Sequence, residues 1–140
     1  PVYLKTFIHY MICHVHIGDT LEKEAMPGIV DSIEKEFGRP RRPDATGLYV
    51  ISNHTGANAS LAFWKDVIKN GAAFANPELF PWTLANSACG YIARHFGITG
   101  PNYTFTCPPE NQEHINEVLK QAAEDQERLG LEDTLIIIID

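Results

Sequence analysis

Cysteine is scarce: Cys13, Cys89 and Cys107 are the three in the chain, and no CxxC spacing occurs. That pattern speaks against a disulfide framework and a zinc knuckle, both of which need cysteines in close, even sets. Positive charge is also short, with 11 Lys and Arg against 18 Asp and Glu and a formal net charge of −7. A partner recognised through many phosphates needs a basic surface, so no nucleic acid is expected. No stretch approaches the ~18 apolar residues of a membrane span, and no basic segment precedes a long apolar run near the amino end. The expectation is a soluble, cytoplasmic protein with reduced thiols and no membrane partner.

What is present is an ordinary globular composition, 44% hydrophobic and 21% charged over 140 residues. A chain of that length can bury roughly 68–70% of its unfolded surface in one core, so residues 1–140 read as a single domain. "VYLKTFIHYMI", residues 2–12, is β-branched and aromatic and reads as a strand. Asp19-Thr20 is a cap candidate. Leu21, Ala25, Ile29, Ile33 and Phe37 then recur once per turn up to Gly38, with a kink or restart expected at Pro27-Gly28. The Pro- and Arg-rich "GRPRRPDATG" reads as a loop.

"LYVIS" (48–52) is a second strand, followed by a glycine turn and a helix expected to bury Leu61, Trp64, Val67 and Ile68. A further helix carries Leu84, Ala88, Cys89, Ile92 and Phe96 inward and stops at Gly97. "NYTFT" opens a third strand, 102–107. Pro108-Pro109 suits the first turn of a helix that buries Ile115, Val118, Leu119, Ala122 and Gln126 or Leu129. The unbroken "LIIIID" reads as a strand, 134–139, covered on both faces, which implies parallel pairing between helical layers. Alternating strands and helices make the fold class α/β, with a mainly parallel sheet and helices on both faces.

"LFPWTLANSACGYIARHFGITGPNYTFT" resembles the segment of β-ketoacyl synthases, in the thiolase-like superfamily, where an Asn-bearing helix and an FG-x-x-GPN turn precede the strand that delivers the nucleophilic cysteine. "GLYVISNHTGANASLAFWKDVIKNG" and "EDTLIIIID" fit the strands and helix around it, so the likeness covers roughly residues 47–140. The resemblance implies a three-layer thiolase-like half fold with strand order 3-2-1-4, and with "LIIIID" beside the first strand and at one edge. Counted from Gly100-Pro101, the family's nucleophile position falls on Pro109, two residues past Cys107. The histidines that assist condensation belong to a second half beyond Asp140. The chain thus resembles the chain-length-factor-like relatives that lack the cysteine, and implies a non-catalytic partner or scaffold in fatty-acid or polyketide-type biosynthesis, with no cofactor.

Cys107 is the candidate nucleophile for the alternative, an acyl-transfer enzyme, because it stands just before a helix amino terminus; the bland alternative is a small apolar residue closing a strand. Cys13 and Cys89 read as core. His14 and His16, two apart on a strand, share a face and with Asp19 form a weak metal candidate, while His54 in the glycine turn is placed to line a cleft. Arg39, Arg41 and Arg42 are the one basic cluster, and the resemblance makes them a docking surface for an acyl carrier protein. Tyr103, Thr104 and Phe105 lie on the strand that pairs with its own copy in the relatives, so a homodimer or a heteromer with a ketosynthase-like subunit is expected through that edge. Pro1 before a strand gives a third reading, a tautomerase with an amino-terminal proline base.

Overall fold

A computed structural model describes residues 9–54 and 56–140. The elements are β1 (His9–Val15), α1 (Glu22–Phe37), β2 (Thr46–Ser52), α2 (Ala57–Asn70), α3 (Ser87–Phe96), β3 (Asn102–Thr106), α4 (Gln112–Leu129) and β4 (Asp133–Ile139). The fold is α/β: the described residues form four α-helices and a four-stranded sheet whose pairings are all parallel. The three later strands stand within two residues of their expected places. Residues 2–8 of the first lie outside the described residues.

Strand order is β1-β4-β2-β3, which corrects the expected 3-2-1-4. The terminal strand does lie beside β1, but it is central and pairs with β2 on its other side; it is not an edge. The physical reason is its composition: residues 134–139 are all buried, and only an interior position satisfies both their side chains and their backbone groups.

Alternation divides the sheet's side chains between two layers. Leu48, Val50, Leu135, Ile137 and Ile139 pack with α1 and α3, while Tyr49, Ile51, Ile136 and Ile138 meet Val118 and Ala122 of α4. Two helices therefore cover one face and one helix covers the centre of the other, leaving Ile12 of β1 and Tyr103 of β3 partly open at 47% and 41% exposure.

Several local expectations are corrected. Helix α1 runs unbroken through Pro27, which stands in its second turn, and the carbonyl that loses its donor belongs to Lys23, an exposed residue. Its cap is Leu21 rather than Asp19 or Thr20. Pro108 and Pro109 precede α4 in a turn closed by Asn111 N–H donating to the Pro108 carbonyl; Asn111 then caps the helix by accepting from the N–H groups of Glu113 and His114. On α2, Leu61, Trp64 and Ile68 are exposed, and Ala59 is the buried residue. Leu84 is 52% exposed ahead of α3, and on α4 Gln126 is buried where Leu129 is not.

Two buried carboxylates join elements that the apolar pattern leaves separate. Glu22, at the start of α1, is 2% exposed and accepts from the N–H groups of Asn58 and Ala59 at 3.1 and 2.9 Å, so one helix supplies the amino-terminal cap of another. Asp125 of α4, wholly buried, accepts from the Tyr49 hydroxyl at 2.6 Å, Gln121 Nε2 at 3.0 Å and the Arg128 guanidinium at 2.9 Å. Burial alone would raise the Asp125 pKa, but these three donors outweigh it and hold the carboxyl below its ordinary value; burial first, and then the contact with Asp125, pushes the Tyr49 phenol up.

A group with a depressed folded pKa contributes stability that is complete above its unfolded value, about 4 for aspartate, and is lost as pH falls through the folded value. Asp125→Asn is therefore expected to lower stability at pH 7 by about 1.5–3 kcal/mol and to flatten the acid limb of a urea-denaturation pH series. Backbone approach sets a second expectation. A Cβ on Gly100 would stand 2.2 Å from the Thr46 carbonyl oxygen, so Gly100→Ala must push the β3 approach away from β2; a loss on the order of 2–3 kcal/mol should appear in thermal unfolding.

Candidate functional site

The carboxyl ends of β2 and β3 form the natural crevice of this sheet. The chain leaves β2 toward the face that holds α3 and leaves β3 toward the face that holds α4, and in open parallel sheets ligand sites lie where successive crossovers diverge. Ser52 ends β2, and its carbonyl accepts from Cys107 N–H at 3.2 Å. Ser52 Oγ accepts from the N–H of His54, whose exposed side chain begins the turn into α2. Gly56 closes that turn at φ +83°, with a Cβ position only 2.5 Å from the Thr83 carbonyl oxygen, so both the conformation and the close approach demand glycine.

Cys107 opens onto a cleft of about 520 Å³ between β3 and α4, lined also by Phe105, Thr106, His114, Glu117, Val118 and Gln121. The tight turn at 108–111 folds the first turns of α4 back over the strand it has just left. Positions 114, 117, 118 and 121 then fall on one helical stripe facing the cleft, so the companions of Cys107 follow from ordinary helical spacing once that reversal is known. His114 and Glu117 were not singled out as its companions in the sequence.

The cleft does not activate the thiol. Cys107 is half-buried, its sulfur makes no hydrogen bond to a described residue, and burial raises its pKa. The Pro108 and Pro109 nitrogens that follow carry no hydrogen to stabilise an oxyanion. Cys13 and Cys89 are buried core residues.

The remaining candidates lie elsewhere. His14 Nε2 and His16 Nδ1 each meet a different oxygen of Asp140, at 3.0 and 2.9 Å, so the carboxylate between them comes from beyond β4 and not from Asp19. The hydrogen bond with His16 is the largest influence on the Asp140 carboxyl and, with the bond and charge of His14 beside it, outweighs burial and lowers its pKa. Among the described residues no group of three His, Cys, Asp or Glu side chains has the placement to hold a metal ion. Pro1 lies outside the described residues.

Arg39 donates to Glu34 and to the His95 carbonyl, and Arg42 to Asp44 and Glu132, so two of the three arginines are neutralised by neighbours. They precede β2 at the amino end of the sheet, whereas Cys107 follows β3 at the carboxyl end. A seven-residue strand, roughly 20 Å, separates the two ends. The structure thus does not bring the arginines and the cysteine into one site. Tyr103, Thr104 and Phe105 do lie on an edge among the described strands, with the Tyr103 and Phe105 rings 5.6 and 6.3 Å from that of Tyr49.

In comparisons with known proteins, the chain matches no family model, no curated protein and no solved structure. None of its described helices is long and apolar enough to cross a membrane.

Cys107 is expected to react with iodoacetamide at pH 7 no faster than a free model thiol, since its pKa is raised and no base contacts it. The rate should climb as pH rises past the ordinary thiol range, and mass spectrometry of the labelled peptide reads it directly.

Proposed function

We propose that the chain is a non-catalytic thiolase-like half domain that serves as a partner or scaffold in fatty-acid or polyketide-type biosynthesis. The observation that carries this reading is the pairing of an unactivated Cys107 with an open aromatic edge: among the described strands β3 pairs with β2 alone, and Tyr103 is partly exposed. A short parallel edge strand presents unpaired N–H and C=O groups that another strand can take up, and a two-fold axis through residues 102–106 satisfies both copies at once. The resemblance of residues 80–106 to the ketosynthase segment supplies the biosynthetic context. Strand order lends it no support, since β4 occupies the place beside β2 that the resemblance assigns to the first strand. An acyl carrier protein remains the partner implied for Arg41, the one arginine of the cluster without an ion pair among the described residues.

A second reading, acyl transfer through Cys107, draws on one observation: His114 and Glu117 line the same cleft. Incubation with an acyl thioester separates the two. The scaffold reading expects no Cys107 adduct, and an adduct abolished by Cys107→Ala would establish the enzyme. Association is tested by light scattering at micromolar concentration. The expected mass is that of two 15.6 kDa chains, falling to one in Tyr103→Lys. A one-chain mass unaltered by the substitution, with no complex on mixing with a ketosynthase, removes the scaffold reading.

A further inference from the structure

Among the described strands β3 is the edge that borders the cleft. Leu48 N–H donates to the Pro101 carbonyl and Cys107 N–H to that of Ser52, so the odd-numbered residues of this strand turn their backbone groups toward β2. The residues between them point the other way. Asn102, Thr104 and Thr106 therefore present their N–H and C=O groups outward, with no strand beyond them among the described residues. Side chains alternate with the same period, and Phe105 and Cys107 stand on the α4 side, where with His114, Glu117, Val118 and Gln121 they line the cleft of about 520 Å³. An open ladder beside a cleft suits an extended backbone: main-chain bonds hold it, and every second side chain enters the cleft.

Charge selects among extended segments. Residues 102–129 hold six acids, Glu110, Glu113, Glu117, Glu124, Asp125 and Glu127, against Lys120 and Arg128, a net −4 of the chain's formal −7. Arg128 is taken by Asp125. Glu113, Glu117 and Glu124 stand at 0, +4 and +11 on α4 and share one stripe, each exposed and without an ion pair among the described residues. Lys120 is the one cation along that stripe, and the lining of the cleft holds Glu117 with no lysine or arginine. Like charges four residues apart on a helix repel, so a cation brought between them is favoured and a further acid is opposed.

We infer that the β3 edge and its cleft take an extended, basic segment of another polypeptide as an added strand, with cationic side chains at alternate positions beside Glu117. This rests on the reading of β3 as the docking edge and names its partner; a second copy and such a segment compete for the same outward groups. The probe is a rhodamine-labelled Thr-Arg-Val-Arg-Val-Arg-Thr peptide with blocked ends, titrated with the full chain and followed by fluorescence anisotropy, with light scattering on the unlabelled mixture. It should bind, and a twin with glutamate in place of arginine should bind at least about tenfold more weakly. Two further twins, N-methylated on the valines or on the arginines, keep the charge and lose the donors of one edge each; one of them should fail to bind. Glu117→Gln, an exposed substitution whose fold is checked by circular dichroism, should weaken binding about two- to fivefold. Equal binding of the arginine and glutamate peptides overturns the inference. So does undiminished binding of both methylated twins, which would be attraction to an acidic surface without an added strand. A two-chain mass that falls as the peptide binds supports it, and a one-chain mass with the peptide bound supports it while removing the second copy. A two-chain mass with no peptide bound overturns it and spares the second copy.

Discussion

The structure depends on five consecutive aliphatic residues, Leu135 to Ile139, that all need to leave water. A strand sends alternate side chains to opposite faces, so such a run is buried only if both faces of the sheet are covered at that strand. Each fully buried Leu or Ile is worth roughly 1.5–3 kcal/mol, and no other segment concentrates as much of it. This one requirement places β4 between β1 and β2, α1 and α3 above it, and α4 below. The connection from β1 to β2 must then pass over the strand that is added last.

The two faces solve the covering problem unequally. On the side of α1 and α3 the core is continuous and almost wholly apolar. On the side of α4 one helix spans the centre, and its seating includes a polar device, the buried Asp125 with its three donors. A carboxylate so placed is favourable only while every donor remains, which fixes the rotation of α4 over Tyr49 more strictly than apolar packing does. That rotation in turn sets which stripe of α4 faces β3, and hence that Cys107 shares its cleft with His114, Glu117 and Gln121.

Helix α2 is held in a different manner. Its amino end is capped from outside by Glu22, and Asn58 donates to the carbonyls of Gly18 and Thr20, so polar contacts rather than a buried stripe position it. A helix fixed in this way can leave large apolar residues at the surface. The expectation that Leu61, Trp64 and Ile68 are internal came from periodicity, which identifies an apolar face but not what lies against it.

Much of the architecture was legible in the residues themselves: the α/β class, the parallel sheet, the stops at Gly38 and Gly97, the core cysteines and the edge position of β3 among the described strands. These follow from local rules of periodicity, backbone freedom and side-chain polarity, which act within a few residues and need no partner. Strand order, the exposure of α2, the burial of Asp125 and the meeting of Cys107 with His114 were decided by the tertiary structure. Each depends on which distant segment supplies a cover, a donor or a neighbouring side chain. The doubly buried character of β4 belongs to its sequence; that β1 and β2 are the strands beside it does not, because apolar side chains state the need for burial without naming the neighbour that provides it.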